Sequence, residues 1–380
     1  MTVGPTARST DRARFAINPY RDPGAHPAPA PAAVLEYHRS LPGYAPTPLV
    51  ARPDLARALG IGQLFVKYEG TRFGLMAFKG LGASWALHVL RERRGGVLGT
   101  VSTASEGNHG RAVAWAARLA GVPCVIFLPS RAAPERIENI RREGARVELV
   151  DGSYEDAVRR CDETSAREGW QIISDVGYPG YLEIPPLVVE GYSTLYREVD
   201  AARRERGLPE PDVVLIPGGV GGILHAGVVH YRSGASPARL VSVEPAEGDC
   251  LTTSIESPGG APAVSTGSRQ TAQACLNCAE VSLPSWPPIR SGVDVFLAID
   301  DEFAEDAVRR LGRPTGGDPP IEAGTSGAAA TGGLIALTAD ARFAPARERL
   351  GLGRGSVALA ICTEGPIDRA DFERVMAGAQ

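Results

Sequence analysis

Residues 72–84 read RFGLMAFKGLGAS, and this stretch places Lys79 where a glycine-bearing loop runs into a helix predicted near 79–94. The strand LFVKYE (64–69) precedes the loop, and from there short apolar runs alternate with longer amphipathic ones up to the C-terminus. Such alternation is typical of right-handed crossovers between parallel strands. We therefore expect an α/β fold with largely parallel sheets.

Nine predicted strands favour two sheets rather than one. They cover 64–69, 99–103, 123–129, 145–150, 170–174, 212–217, 239–245, 293–299 and 356–362. Helices are predicted near 79–94, 108–121, 133–143, 153–168, 186–205, 222–233, 302–312, 326–338 and 369–377, after a short one in AAVLEYHRSL (32–41). Residues 1–31, rich in Pro, Ala, Arg and Gly, predict an arm with little regular structure, and the Gly-, Ser- and Pro-rich stretch 246–290 predicts a long active-site or interface loop.

Composition excludes several classes of protein. The 380 residues are 43% hydrophobic and 22% charged, which suits a globular chain of two domains or one bilobal domain. The net charge of −4 argues against nucleic-acid or anionic-membrane partners. No apolar run approaches the roughly 18 residues of a membrane span, and the first residues lack the apolar segment of a signal peptide. Six cysteines are too few for a disulfide scaffold, so we expect a reducing, cytoplasmic location.

The count of lysines is the most informative number in the composition. Of 40 basic residues only Lys67 and Lys79 are lysines, and 38 are arginines. A retained lysine is a candidate for chemistry that arginine cannot perform, such as forming a Schiff base. The apolar neighbours Met76 and Phe78 predict a desolvated Lys79 amine with a lowered pKa. Lys67, inside a strand and beside Glu69, is instead predicted to be a salt-bridged edge residue.

Two glycine-containing segments are candidate anion sites. In STASEGNHGRAVAWAA (102–117), free N–H groups at the start of a helix can bind a carboxylate or phosphate, although an ordinary helix cap explains the pattern equally well. In IPGGVGGILHAG (216–227), a glycine loop between strand and helix is either a phosphate cup or a close-packed turn. It lacks the Walker lysine and the dinucleotide spacing, so a monophosphate suits it better.

Two further segments carry weaker signals. The last strand ends in ALAICTEGPID (358–368), and strand ends are where ligands bind in parallel sheets, although a simple strand cap is at least as good an interpretation. Cys275 and Cys278 have zinc-ribbon spacing, but no second pair of ligands follows. Two thiols, unlinked or locally linked, are therefore favoured over a metal site, and no metal is predicted.

The order of these motifs resembles the fold type II pyridoxal-phosphate enzymes, the tryptophan synthase β-like family, and within it the diaminopropionate ammonia-lyases. The resemblance spans roughly residues 35–370 and rests on RFGLMAFK (72–79), EGNHGRAVAWAA (106–117), DVGYPGY (175–181), IPPLVVEGY (184–192), VEPAEGDC (243–250), CLNCAE (275–280), TSGA (325–328) and TEG (363–365). It implies two open, twisted, mostly parallel sheets flanked by helices, with the active site in the cleft between them. It also implies a homodimer.

The same resemblance implies a division of the chain and a set of cofactor contacts. Residues 1–34 would be an N-terminal arm, 35–85 with 186–380 a large cofactor-binding domain, and 86–185 a small domain. Lys79 would form the Schiff base with pyridoxal 5'-phosphate. The remaining cofactor contacts would come from the ring-packing Phe78, from Asn108 at the ring oxygen, from the phosphate-binding amides of Gly219, Val220, Gly221 and Gly222, and from Thr363, in preference to Cys362, at the ring nitrogen.

Substrate contacts follow from the same resemblance. The substrate would be a small amino acid whose carboxylate meets Ser102, Thr103, Gly107 and His109. Asp175 and Glu106 would serve with Lys79 as acid–base groups. The reaction implied is α,β-elimination of ammonia from 2,3-diaminopropionate, giving pyruvate and ammonia through an aminoacrylate.

Three residues depart from the family pattern and leave the substrate open. Met76 stands where the family usually has Asn, Glu106 where it has Asp, and Thr325 where a Glu often precedes SGA. The longer Glu106 predicts sharper discrimination between substrate enantiomers, unless it only caps the following helix. The alternatives are a β-replacement synthase, a serine or threonine dehydratase, and a non-catalytic relative that holds the cofactor or an amino acid.

Overall fold

Short buried runs of apolar residues form the strands, as their alternation with helical segments predicts. The computed structural model describes residues 12–105, 107–234 and 236–378. The strands are β1 (Arg14–Ile17), β2 (Leu49–Ala51), β3 (Gln63–Tyr68), β4 (Val101–Ala104), β5 (Cys124–Pro129), β6 (Arg146–Val150), β7 (Gln171–Ile172), β8 (Val213–Pro217), β9 (Arg239–Pro245), β10 (Val295–Ile299) and β11 (Val357–Cys362).

Helices connect these strands and cover their faces. They are α1 (Ala33–Ser40), α2 (Pro53–Ala58), α3 (Lys79–Arg93), α4 (Asn108–Ala120), α5 (Pro134–Arg142), α6 (Tyr154–Glu168), α7 (Ile184–Arg206), α8 (Gly222–Arg232), α9 (Cys250–Glu256), α10 (Trp286–Gly292), α11 (Asp301–Gly312), α12 (Ala329–Ala339), α13 (Ala344–Leu350) and α14 (Arg369–Ala377). In the described part of the chain, none of them combines the length and apolar character needed to cross a bilayer.

Two mostly parallel sheets organise the molecule, which confirms the predicted fold class. The larger has seven strands in the order β1-β10-β9-β8-β11-β3-β2, and the smaller has four in the order β6-β5-β4-β7. All pairings are parallel except those of the two outer strands, β1 on β10 and β2 on β3. Ligands of such sheets bind at the carboxyl ends of the strands, and this rule locates the site described below.

Two segments predicted to be irregular contain some regular structure. The N-terminal arm contains β1, which pairs Arg14 with Ala298 and so covers one edge of the large sheet. The stretch 246–290 is not one long loop, because it contains α9 and the start of α10. Trp286 is buried there, and its indole N–H donates to the carbonyl of Gly260 at 2.8 Å.

Lys67 lies at the centre of a buried ionic cluster rather than at a sheet edge. Its strand, β3, is flanked by β2 and β11, and its Nζ is 2.6 Å from Glu198 Oε2 and 3.7 Å from Glu69 Oε1. Arg72 completes the cluster, with Nη2 at 2.7 Å from Glu198 Oε2 and Nε at 2.8 Å from Glu69 Oε2. The predicted salt bridge is therefore confirmed, and the predicted edge position is wrong.

Helix α6 begins with a capping box. Ser153 accepts the N–H of Asp156, whose carboxylate in turn accepts the N–H of Ser153 at 2.7 Å. This reciprocal pair satisfies two of the donors left free at a helix start. It fixes where α6 begins, and hence which of its residues reach the site.

Candidate active site

A cavity of about 610 Å³ opens at the carboxyl ends of β4, β8 and β11. Its lining includes Lys79 and Asp175 together with residues of the glycine loop that precedes α8. The structure therefore brings together three of the segments that the sequence singled out.

The loop that carries Lys79 is fixed to the end of β11. The N–H of Phe78 donates to the carbonyl of Thr363 at 3.3 Å, and the N–H of Gly365 donates to the carbonyl of Met76 at 2.8 Å. Met76 has a φ of 62°, in the left-handed region that non-glycine residues rarely occupy. Asparagine, the residue that the family usually has at this position, tolerates this conformation better. The methionine therefore places strain on the backbone of the loop.

Lys79 is paired with Asp175. Its Nζ lies 2.5 Å from Asp175 Oδ2, and it also lies over the rings of Phe78 and Tyr192, 5.0 Å and 5.8 Å from their centroids. Burial lowers the pKa of the Lys79 amine, but the negative charge of Asp175 outweighs this effect and raises it above its usual value. The predicted lowered pKa is wrong because the sequence did not show that the Asp175 carboxylate contacts the amine.

Asp175 is ionised in this arrangement. Burial alone would raise the pKa of its carboxyl group, but the adjoining His109 and Lys79 hold that pKa well below its usual range. His109 Nδ1 lies 3.8 Å from Asp175 Oδ2, while Nε2 lies 2.9 Å from the carbonyl of Ile173. A carbonyl accepts only from N–H, so Nε2 carries a proton, and burial lowers the pKa of the ring while the charge of Asp175 opposes that effect. Nδ1 is buried and has no hydrogen-bond partner in the described chain.

The glycine loop between β8 and α8 forms a tight backbone cradle. A Cβ on Gly218 would lie 2.8 Å from side-chain atoms of Glu244 and Leu251, and Gly221 has a φ of 101°. The N–H of Gly221 donates within the loop, to the carbonyl of Gly218 at 3.0 Å. Within the described residues the N–H groups of Gly219 and Val220 donate to no backbone carbonyl. Free amides beside a helix start suit the phosphate of pyridoxal phosphate.

Asn108 joins α4 to the end of β11. Its side-chain amide donates to the carboxylate of Glu364, and Nδ2 also lies 3.7 Å from Cys275 Sγ. Burial raises the pKa of Glu364, and the hydrogen bond from Asn108 partly opposes that effect. Glu364 belongs to the TEG motif, but no role was predicted for it because the motif does not show what its carboxylate contacts.

The predicted carboxylate-binding residues do not all reach the cavity. Thr103, Gly107 and His109 line it. Ser102 lies on the other face of β4, where its hydroxyl is 2.7 Å from that of Ser165 in α6, so the prediction for Ser102 conflicts with its position. Glu106 falls outside the described residues, and its acid–base role stays a prediction.

Several lining residues were not predicted at all. The face of α6 contributes Tyr154, Val158 and Asp162, and the loop after Asp175 contributes Tyr178. A polar residue on an amphipathic helix gives no signal of whether it faces solvent or a cavity. Tyr178 lies in the quoted DVGYPGY, but its role could not be derived from the motif.

The cysteines and Thr325 are the remaining residues that the sequence singled out. All six cysteines are free thiols, and Cys278 lines the cavity. Across the described ranges no group of three or more metal-ligating side chains occurs. Thr325 Oγ1 donates to Asp371 Oδ2 at 2.9 Å and lines a smaller neighbouring cavity of about 270 Å³.

The chain belongs to the family of pyridoxal-phosphate dependent enzymes, whose sequence model matches residues 40–350. Within that family it is similar to the diaminopropionate ammonia-lyase of Escherichia coli. The two sequences are 35% identical over 365 residues, which cover 90% of this chain and 89% of the relative.

Solved structures agree with this placement. A crystal structure of the Escherichia coli ammonia-lyase, in complex with an aminoacrylate-PLP azomethine reaction intermediate, superposes with a TM-score of 0.87 at 32% identity and covers 96% of this chain and 97% of that one. Threonine deaminase isoform 2 of Solanum lycopersicum has a TM-score of 0.75 at 21% identity, covering 96% and 98%, and thus shares the fold. These likenesses confirm the fold type II assignment.

Proposed function

We propose that this protein is a pyridoxal-phosphate dependent lyase that eliminates ammonia from 2,3-diaminopropionate, giving pyruvate and a second ammonia. The observation that carries the proposal is the Lys79–Asp175 pair, 2.5 Å apart in a cavity that ends at the glycine loop. The choice of substrate is supported by the 33–35% sequence identity to diaminopropionate ammonia-lyases, which extends over 90% of the chain.

The glycine loop and its surroundings fit the cofactor. Free amides of Gly219 and Val220 would hold the phosphate, and Phe78 would pack on the ring. Thr363, buried at the end of β11, would meet the ring nitrogen as a neutral partner. When bound, pyridoxal phosphate supplies an aldehyde that captures amines and a ring that withdraws electrons from the substrate's Cα.

The side chains around Lys79 can move the protons that the reaction requires. Elimination removes a proton from Cα and delivers one to the departing β-nitrogen. Lys79 Nζ donates a hydrogen bond to Asp175, so the carboxylate can accept a proton and the ammonium group can donate one. His109 Nδ1 lies 3.8 Å from Asp175 Oδ2, so the imidazole ring lies beside the Lys79–Asp175 pair. Glu106 is proposed as a second acid–base group, as the family resemblance implies.

The test is to assay the purified holoenzyme with a panel of β-substituted alanines. With 2,3-diaminopropionate we expect one pyruvate and two ammonia per turnover, because the β-nitrogen leaves first and hydrolysis releases the α-nitrogen. Formation of pyruvate from serine, or of 2-oxobutyrate from threonine, with no product from diaminopropionate would indicate a dehydratase. Little pyruvate, with a new amino acid appearing only when a nucleophile is added, would indicate a β-replacement synthase.

We further propose that the protein acts in the cytoplasm as a homodimer. All six cysteines are thiols, as expected in a reducing compartment, and the dimer follows from the family resemblance. Sedimentation equilibrium of the holoenzyme tests the assembly, since a monomer would have the 39.9 kDa mass of one chain.

A further inference from the structure

One wall of the main cavity is made by a helix face that the mechanism above does not use. Tyr154, Val158 and Asp162 follow one another at helical spacing along α6 and line the cavity over two turns. Across from them runs the loop that leads from Asp175 to Tyr178. The cavity therefore extends from the Lys79 amine to a polar wall on the smaller sheet.

Asp162 and Tyr178 form the polar part of this wall. The hydroxyl of Tyr178 lies 3.1 Å and 3.3 Å from the two carboxylate oxygens of Asp162 and donates to them. Tyr178 also stacks on Tyr181, with ring centroids 5.3 Å apart, and the Tyr181 hydroxyl is fixed between Ser174 N–H and the Ile172 carbonyl. The hydroxyl that holds Asp162 is thus attached to the segment that carries Asp175.

Asp162 differs from Asp175 in its charge balance. Asp175 is paired with the ammonium group of Lys79. Asp162 is half-buried, and within the described residues it forms no ion pair with any cationic side chain. A half-buried carboxylate without a cation gains most from a ligand that brings one.

We propose that Asp162, held in place by Tyr178, binds the ammonium group on the side chain of the substrate and thereby selects substrates that carry one. This inference rests on the proposed function, because 2,3-diaminopropionate has an ammonium group at its β-carbon and serine does not. Asp162 is the specificity-determining residue, and Tyr178 is a positioning residue that acts through it. The pKa of Asp162 is raised by burial, and the Tyr178 hydrogen bond opposes that effect, in keeping with a carboxylate that lacks a cation.

The decisive experiment compares two substrates in the Asp162→Asn holoenzyme. One is 2,3-diaminopropionate, and the other is β-chloroalanine, which undergoes the same elimination without a β-ammonium group. We expect KM for diaminopropionate to rise about ten-fold or more, the effect of losing one hydrogen bond to a charged group, with kcat changing less than about three-fold. For β-chloroalanine, kcat/KM should stay within about three-fold. Tyr178→Phe should show the same split between KM and kcat, with a smaller rise.

Glu163→Gln is the matched control, because it removes a negative charge from the next position of α6, where the side chain is exposed. It should leave both substrates unchanged. Equal losses for the two substrates in Asp162→Asn, or no loss for either of them and none in the inhibitor comparison that follows, would overturn the proposal. Retained β-chloroalanine turnover also shows that the variant has folded and holds its cofactor.

A pair of inhibitors tests the site independently of the elimination reaction. Binding of 2,4-diaminobutyrate, whose ammonium lies one carbon further out, is compared with binding of norvaline, which is similar in shape and lacks that charge. Asp162→Asn should weaken the binding of diaminobutyrate but not that of norvaline. This result would show that the carboxylate binds a side-chain ammonium group, including one that lies a carbon further out than in diaminopropionate. Binding is read from the absorbance of the bound cofactor, so an enzyme that is inert toward diaminopropionate would refute the proposed substrate and still leave Asp162 tested.

Discussion

Lys67 and Lys79 each contact a carboxylate at close range, yet their surroundings differ in ways that decide what each can do. Lys67 has 1% of its side chain exposed and shares two carboxylates with Arg72, so its charge is fully balanced in a closed cluster. Lys79 has 22% exposed, meets one carboxylate, and opens onto a cavity. A lysine with fixed partners on all sides stabilises the fold, whereas one with a single partner and access to a ligand can do chemistry.

The largest effect should follow from Lys79→Ala. Because Lys79 is proposed to bind the cofactor and to move protons, the variant should lose at least about a thousand-fold in ammonia release. Borohydride reduction of the wild-type holoenzyme, followed by peptide mapping, should place the pyridoxyl label on Lys79. A label on Lys67 would show that Lys67, and not Lys79, binds the cofactor.

An intermediate effect on stability is expected from Glu198→Gln. Burial alone raises the pKa of Glu198, but hydrogen bonds from Arg72 and the charge of Lys67 lower it from 4.5 to about 2. The substitution leaves Glu69 as the only carboxylate of this cluster to balance the two cations, and should reduce the free energy of unfolding by about 3–5 kcal/mol at pH 7, as measured by urea denaturation.

The lowered pKa of Glu198 also predicts how the stability of the protein depends on pH. A carboxylate with a depressed pKa in the folded state contributes stability that is present above its unfolded pKa and is lost as the pH falls through the folded one. Wild type should therefore lose part of its stability between pH 4.5 and about 2, and Glu198→Gln should lose less over that range. Parallel pH profiles for the two proteins would contradict the assignment of Glu198 to the cluster.

The smallest effect should come from Met76→Asn, in the loop that carries Lys79. Met76 adopts a φ of 62°, which costs a non-glycine residue of the order of 1 kcal/mol and costs asparagine less. The variant should gain up to about 1 kcal/mol in unfolding free energy, with little change in kcat. A Met76→Ala variant is the control, since it shortens the side chain without relieving the backbone; an equal gain there would show that packing, not φ, is responsible.

Much of the fold was accessible from the sequence because buried parallel strands are continuous apolar runs. All nine predicted strands occur, within a few residues, as β3 to β11. β1 and β2 were missed because RFAI and LVA are very short and become strands only through their partners β10 and β3. The local sequence does not show that such a short segment will pair with a strand distant in the chain.

The site was predictable where composition or motif order singled out a residue, and not where tertiary contacts decide. Lys79 stood out by its rarity. Ser102 does not line the cavity, because alternate residues of a strand point to opposite faces and only Thr103 of that pair faces it. Asp162 could not be found, because α6 would show the same polar pattern facing water.

The position of β11 in the large sheet has a consequence for how the chain folds as it is made. Within the described residues, β2 and β3 join the other strands only through β11, which lies between β3 and β8. Strands β2 and β3 are made early on the ribosome, but they join the large sheet only when β11, the last strand, has been made. Contacts this distant in sequence form slowly, and a chain truncated before Val357 would leave β2 and β3 without hydrogen bonds to the other strands of the sheet.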